Sequence, residues 1–350
     1  MPRLLLNRLR EKISELRAMV LRNRLTPAVA DVRRAVREAL IPLQLEPESR
    51  ILIACSGGPD SLALAAAAIF EAPKLGLTVA ACIVDHGLQK GSADVASQTL
   101  QKLEELGLDP VVIETVSVPE NSSGPEAAAR TVRYLALERA RKLIGAELIL
   151  LGHNLEDQAE TVLLGLARGS GLKSISGMPA FDAERKLLRP LIGIKRETLR
   201  QSCADQEIEF WDDPHNQDPR FTRVRIRNLL DTLEQEVGPG FAEALSRTAD
   251  IAAESEDAMA AAASEMMQVA VKLESDGKYS VSISACEKMP HGIRRKLLFE
   301  LAVQAGAKSV SRTQVLGIDE LITNWHGQNK LVLSGITVER VNQQLVFTGQ

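Results

Sequence analysis

The six residues Ser56-Gly57-Gly58-Pro59-Asp60-Ser61 have the composition of an anion cradle, with paired glycines, two hydroxyls and one carboxylate between the apolar run Ile51–Cys55 and an Ala/Leu-rich stretch. Glycines let backbone N–H groups approach a phosphate closely, and a helix starting near Ser61 turns the positive end of its dipole toward it. The hexapeptide has neither the G-x-x-x-x-G-K-[ST] spacing nor the lysine of a Walker A loop, which disfavours γ-phosphate transfer. Two more polar turns carry reactive groups, Asp85-His86-Gly87 and Gly152-His153-Asn154. Beyond the second, His153, Asp157 and Glu160 stand at i, i+4 and i+7, on one face of a helix. One imidazole beside hard carboxylates, with no second histidine, argues against zinc. Arg130 and Arg133 lie three apart, and Arg220, Arg223, Arg225 and Arg227 form a basic window without an acid.

Positioning these groups requires an alternating fold. Short apolar runs at Arg50–Cys55, Thr78–Val84, Val111–Val118 and Glu147–Leu151 predict strands, with helices near 61–71, 92–106 and 125–144. This pattern predicts an α/β, doubly wound, mostly parallel sheet covered on both faces, with ligands beyond the carboxyl ends of the strands. All three polar turns fall there. After residue 170 the alternation fades. Gly169-Ser170-Gly171 and Ser176-Gly177 read as a flexible connection, Lys195–Gln206 as a helix, and about 241–273 as one long helix. Helices near 291–305 and 311–323 and antiparallel strands at 330–334, 336–341 and 344–348 predict a helical linker region and a smaller α+β C-terminal domain. Upstream, 3–24 reads as an amphipathic basic helix or a loosely docked extension, and Ala28–Leu40 as a second helix. The expected division is 1–48 as an N-terminal helical extension, 49–220 as the catalytic domain and 221–350 as an accessory region.

At 350 residues, two domains are expected, and 45% apolar content fills a core although aromatics are only 3%. No apolar run reaches membrane-span length and the Arg-rich start lacks a secretory pattern, so a cytoplasmic location and no membrane partner are expected. Four scattered cysteines, Cys55, Cys82, Cys203 and Cys286, read as buried thiols. The net charge of −4 combines an excess of basic residues in 1–50 with an acidic remainder, so any nucleic-acid site must be a local patch.

In series, the Ser56–Ser61 loop, Val84–Leu88, Glu126–Arg130 with Arg133-Tyr134, Gly152–Thr161, Arg168–Gly171, Arg189-Pro190-Leu191, and Asp213–Asn216 with Phe221–Arg227 resemble the N-type ATP pyrophosphatases. Within them, they resemble the tRNA(Ile)-lysidine synthetase family. The motifs cover about 50–230 in the family's order. This resemblance implies an adenine nucleotide alpha-hydrolase-like PP-loop domain that adenylates the C2 oxygen of the wobble cytidine of tRNA(Ile) with anticodon CAU. Pyrophosphate leaves, and the ε-amine of free L-lysine then displaces AMP to give lysidine. ATP and Mg²⁺ are the expected cofactors, and a homodimer is compatible with a sequence that does not fix the oligomeric state.

The resemblance implies ATP binding at Ser56, Gly57, Gly58, Pro59, Asp60, Ser61, Asp85, His86 and Gly152. Asp60 would orient Mg²⁺ or the loop, with Asp157 a second metal ligand. Either Arg130 or Arg133 would serve the α-phosphate. Asp157 and Glu160 would receive the lysine ammonium, and a carboxylate or His153 would take its proton. Arg189, Arg223, Arg225 and Arg227 would contact tRNA, and the C-terminal region would select it. The chain departs from the family pattern at His215, Glu156 and Val224, where serine, aspartate and asparagine are common. Competing readings are a PP-loop tRNA thiolase, which usually needs a C-x-x-C pair or persulfide-bearing cysteine, and a non-catalytic nucleotide- or RNA-binding protein. Asp60→Ala is expected to abolish adenylate formation and Glu160→Ala mainly to raise the lysine requirement; equal loss of adenylate formation in both would contradict the division of roles.

Overall fold

The computed structural model describes residues 25–87, 91–117, 125–169, 171–213, 218–274 and 277–349. The anticipated helix at 3–24 and the motif residues Leu88, Ser170, Pro214, His215 and Asn216 lie outside them, as does the side chain of Glu126. The chain forms two compact units, one of residues 1–167 and 177–247, the other of 168–176 and 248–350.

Unit one is built on a six-stranded sheet. Strands β1 (Arg50–Cys55), β2 (Thr78–Asp85), β3 (Val111–Thr115), β4 (Ala146–Leu151), β5 (Phe181–Asp182) and β6 (Leu187–Leu188) lie in the order β3-β2-β1-β4-β6-β5. All neighbours pair in parallel except β5 with β6. Its order reverses between β1 and β4, which opens a crevice at their carboxyl ends. Beyond Arg50 and Glu147 near their starts, the central strands β1 and β4 are apolar because both faces are covered, as expected for parallel strands. On one face, Ile51 and Ile53 meet α1 (Pro27–Leu40), α2 (Pro59–Glu71), α3 (Ser92–Leu106) and α7 (Arg196–Asp205). On the other, Leu52, Ala54 and Leu151 meet Leu137 and Ala140 of α4 (Pro125–Leu143).

The α1 helix is part of this core. Thr26 caps it by accepting from the Val29 N–H, Pro27 occupies its first turn, and Val32, Val36 and Leu40 are fully buried. Residues 27–40 thus belong with the catalytic sheet, within the stretch anticipated as an extension. The anticipated boundary at 220 falls just before α8 (Thr222–Glu236), which lies in unit one.

Two helical segments precede β5 and β6 on the way from β4 to α7. Helix α5 (Leu155–Arg168) follows β4 directly, and the stretch read as a flexible connection contains the single turn α6 (Leu172–Ile175). The long helix α9 (Phe241–Ala270), which belongs to unit two from residue 248 onward, stops three residues before its anticipated end. Val271–Leu273 instead forms β7, pairing with β8 (Tyr279–Ser282). With β9 (Leu331–Leu333), β10 (Ile336–Val341) and β11 (Gln344–Gly349) they make an antiparallel sheet, β7-β8-β11-β10-β9. Val281, Val338, Leu345 and Phe347 of this sheet share a core with α11 (His291–Gln304) and α12 (Arg312–Thr323), after the short α10 (Ile283–Glu287). No helix among the described residues is long and apolar enough to cross a membrane. Leu40→Ala is expected to cost unit one about 2–5 kcal/mol, because it empties a site where several elements meet; chemical unfolding checks this, and a loss under about 0.5 kcal/mol would mean that α1 is not integral to the core.

Candidate active site

The phosphate loop is stapled from within. Gly57 adopts φ +79°, and a Cβ there would stand 2.5 Å from Thr99 Oγ1, so only glycine suits it. Ser61 Oγ donates to the Gly58 carbonyl at 2.9 Å and accepts the Ser56 N–H at 3.2 Å. The Ser61 hydroxyl, 7% exposed, therefore shapes the loop, and the exposed Ser56 is the hydroxyl left to meet a ligand. Pro59 sits in the first turn of α2 with Asp60 beside it.

The turn after β4 presses against this loop. A Cβ on Gly152 would lie 3.1 Å from the Asp60 carbonyl, a clearance that holds the two strand ends together. Asn154, fully buried, then bridges the turns: its Nδ2 donates to Asp60 Oδ2 at 2.9 Å, and its Oδ1 accepts the Asp157 N–H at 2.9 Å. Asp157 Oδ2 returns the bond by accepting the Asn154 N–H at 3.1 Å, a reciprocal cap at the start of α5.

Above the two turns lies a cavity of about 930 Å³. Ser56, Gly58, Pro59, Asp60, Ser61, His86, Arg130, Arg133, Gly152, His153, Asp157, Arg223 and Arg227 all line it, so the structure brings together most of the residues singled out by spacing. Asp85 stands just aside on a smaller cavity, its Oδ1 accepting the Gly87 N–H at 2.9 Å. Gly57 is buried behind the loop.

Three anticipated site residues have other surroundings. Arg189 is 5% exposed and its Nη1 donates to the Pro179 carbonyl, so it does not reach an external tRNA phosphate; its charge instead backs the cavity wall. Arg225 is exposed but spends its guanidinium on the Pro219 and Arg220 carbonyls and Thr222 Oγ1, bracing the start of α8. Glu160 is fully buried and is absent from the lining; its Oε1 accepts Arg227 Nε at 2.9 Å and lies 3.7 Å from Arg196 Nη2.

Charge divides the cavity into two sides. On one stand Arg130, Arg133 and Arg223 with His153, whose pKa falls well below the usual histidine range through burial and these arginines together with Arg189. His153 is thus a neutral imidazole and a poor proton acceptor. Arg130 is engaged with Tyr134, its Nη2 donating to the hydroxyl at 3.1 Å, whereas Arg133 has no hydrogen bond or ion pair among the described residues. On the other side stand Asp60 and Asp157. Burial pushes the Asp60 carboxyl up to about 6, Asp157 and Glu156 adding repulsion while Arg196 and Asn154 oppose it. Its Oδ1 is buried and has no hydrogen-bond partner among the described residues. An orphaned hard oxygen beside a second carboxylate suits Mg²⁺, which takes one or two carboxylates and completes its shell with phosphates and water.

Arg196 and Asn154 escaped the sequence reading. Arg196 Nη2 lies 3.3 Å from Asp157 Oδ1, and its N–H donates to Glu156 Oε2 at 2.9 Å. A cation at the first position of a helix opposes the dipole, and that misplacement was the available signal for a carboxylate partner. The same contact accounts for Glu156, which caps α7 where an aspartate is shorter by one methylene. For Asn154, the signal was an acid three residues after a capping side chain.

Residues 29–233 match the family described as PP-loop domain. The tRNA(Ile)-lysidine synthase of Leifsonia xyli is 47% identical over 307 residues, covering 87% of this chain and 92% of that protein. The tRNA(Ile)-lysidine synthase of Thermobifida fusca is 44% identical over 313 residues, covering 88% and 94%. Among solved structures, the U34-tRNA thiolase NcsA of Methanococcus maripaludis superposes with a TM-score of 0.53 at 20% identity, covering 64% of this chain and 78% of that one, a likeness of fold.

Asp60, with a folded pKa above that of a free aspartate, destabilises the protein once ionised, so the penalty grows as pH rises from about 4 through 6. In metal-free buffer Asp60→Asn is therefore expected to raise unfolding stability at pH 7.5 by about 1–2 kcal/mol, the gain vanishing below about pH 4. Parallel denaturation series check this; a gain independent of pH would contradict the burial of its charge.

Proposed function

Because this chain belongs to the PP-loop family and, within it, to the tRNA(Ile)-lysidine synthases, we propose that its 930 Å³ cavity joins ATP, the wobble cytidine of tRNA(Ile) and free lysine in one two-step reaction. The chain uses ATP and forms lysidine on tRNA(Ile). The observation that carries the site assignment is the meeting, in one cavity, of a phosphate loop, an arginine wall and an acidic pair.

In the first step the cytidine C2 oxygen attacks the α-phosphorus of ATP and pyrophosphate leaves. The Ser56 hydroxyl and the N–H groups of the loop hold the departing pyrophosphate at the N-terminus of α2. Arg133, without a competing partner among the described residues and bordering both the main cavity and a neighbouring one, neutralises the charge that develops on the α-phosphate. Arg130 supports it from its post on Tyr134, and neutral His153 supplies a hydrogen bond without adding charge. Asp60 and Asp157 would hold Mg²⁺, which screens the phosphate oxygens when bound.

In the second step the lysine ε-amine attacks C2 and AMP leaves. Asp157 faces the amine, and Glu160 acts through Arg227, which it fixes at the acidic side. The proton goes to a carboxylate, since His153 is held neutral by burial and arginine. Arg223, on the cavity wall, contacts the tRNA backbone near the inserted base, which a single-stranded anticodon loop releases at low cost. A sulfur-transfer reading finds little support: burial pushes the Cys82 and Cys203 thiols up to about 12 and the Cys286 thiol up to about 11, and it raises that of Cys55 as well.

The test is product analysis with tRNA(Ile) bearing a CAU anticodon, ATP, Mg²⁺ and lysine. Pyrophosphate release should require the tRNA, AMP release should also require lysine, and the wobble cytidine should gain one lysine residue by mass. Pyrophosphate release without tRNA, or a cytidine that gains sulfur, would overturn the assignment.

A further inference from the structure

We infer that the indole of Trp211 is the stacking wall for the adenine of ATP, an inference that rests on the ATP-dependent reading of this site. Two smaller cavities, about 290 and 160 Å³, adjoin the phosphate loop at Ser56, and Trp211 borders both. The smaller is walled by Ile83, Val84, Val95 and Ala96 together with Trp211, and its polar groups come from Asp85, His86 and Asp213 and from the hydroxyls of Ser56, Ser92 and Thr99. A slot whose lining surface is mostly apolar, with polar groups among its walls, suits a planar heteroaromatic ring better than a phosphate or an ammonium ion. Because Ser56 is common to the slot and to the main cavity, a nucleotide with its phosphates on the loop has its base within reach of the slot.

The segment that carries Trp211 is tied down at four successive residues, Glu209 to Asp212. Its N–H donates to the Gly57 carbonyl at 3.0 Å. On the residue after it, Asp212 takes a two-pronged bond from Arg200 at 2.9 and 2.7 Å, and on the residue before it, Phe210 lies under the same guanidinium at 4.7 Å. Lys102 Nζ holds the Glu209 carbonyl at 3.0 Å. The indole is therefore presented by a braced segment, and the tie to Gly57 is a backbone bond that survives replacement of the side chain. His86, bordering the same slot, is kept toward its neutral form by burial and Arg133 against the pull of Asp85, so it offers a ring nitrogen to a purine edge and not a cation. With two tryptophans in the chain, Trp211 is also its own reporter once Trp325 is replaced.

The experiment titrates the Trp325→Phe protein with α,β-methylene-ATP, inorganic triphosphate and CMP in the presence of Mg²⁺, following tryptophan emission. Calorimetry of Trp211→Ala and Trp211→Phe accompanies it. Base stacking of this kind predicts saturable quenching by the adenine nucleotide alone. It also predicts an affinity for the analogue about 5- to 100-fold weaker in Trp211→Ala, largely recovered in Trp211→Phe, with triphosphate affinity unchanged in both. Equal analogue affinity in Trp211→Ala, a matching loss for triphosphate, or quenching by CMP in place of the analogue would overturn the inference while leaving ATP use intact. Failure of the analogue to bind the unsubstituted protein would overturn both.

Discussion

The site depends on the bracket that Asn154 makes between two turns of the sheet. Asp60 arrives from the loop after β1 and Asp157 from the helix after β4, and the two strands are neighbours at the point where the sheet reverses its order. Two carboxylates facing one cavity repel, and that repulsion adds to burial, the larger cause, in raising the pKa of Asp60. A buried amide that donates to one acid and exchanges bonds with the backbone and side chain around the other fixes their spacing against that repulsion. The missing side chain of Gly152 permits the approach. Both half-reactions then share one rigid frame.

Around that frame the protein separates charge and does not spread it. Phosphate chemistry needs cations and a water-poor wall, while amine attack needs acids and a proton acceptor. In the proposed reaction the arginines of α4 and α8 would supply the first, and burial together with their field keeps His153 uncharged among them. The acids of α2 and α5 would supply the second, their excess charge offset by Arg196 and Arg227. Removing either counter-cation would leave Glu160, a fully buried carboxylate, with one fewer partner, a cost of several kcal/mol in comparable settings.

Much of this was legible in the sequence, for physical reasons. The alternation of apolar strands with helices fixes a covered parallel sheet, and the polar turns must then fall at its carboxyl edge. Of the three residues expected on one helix face, Asp157 does face the cavity from α5, whereas His153 reaches it from the turn before that helix, and the Ser56–Ser61 loop formed where glycine and proline required it. What escaped involves contacts between segments far apart in the chain. Glu160 follows the helical period of Asp157 but is sealed beneath Arg227, 67 positions away. Arg189 reads as a free cation and is buried against Pro179. The strands β7 and β8 were missed because three residues of β-bridge at the end of a long helical pattern carry no periodicity of their own.

The most direct test of the shared frame is a single-turnover comparison of both steps in Asn154→Ala: adenylate formation from α-labelled ATP without lysine, and lysine transfer to adenylated tRNA prepared with the unsubstituted enzyme. A bracket common to both carboxylates predicts that the two rate constants fall together, each by at least about tenfold, while the fold remains intact by circular dichroism. Loss confined to one step, with the other at its full rate, would contradict it.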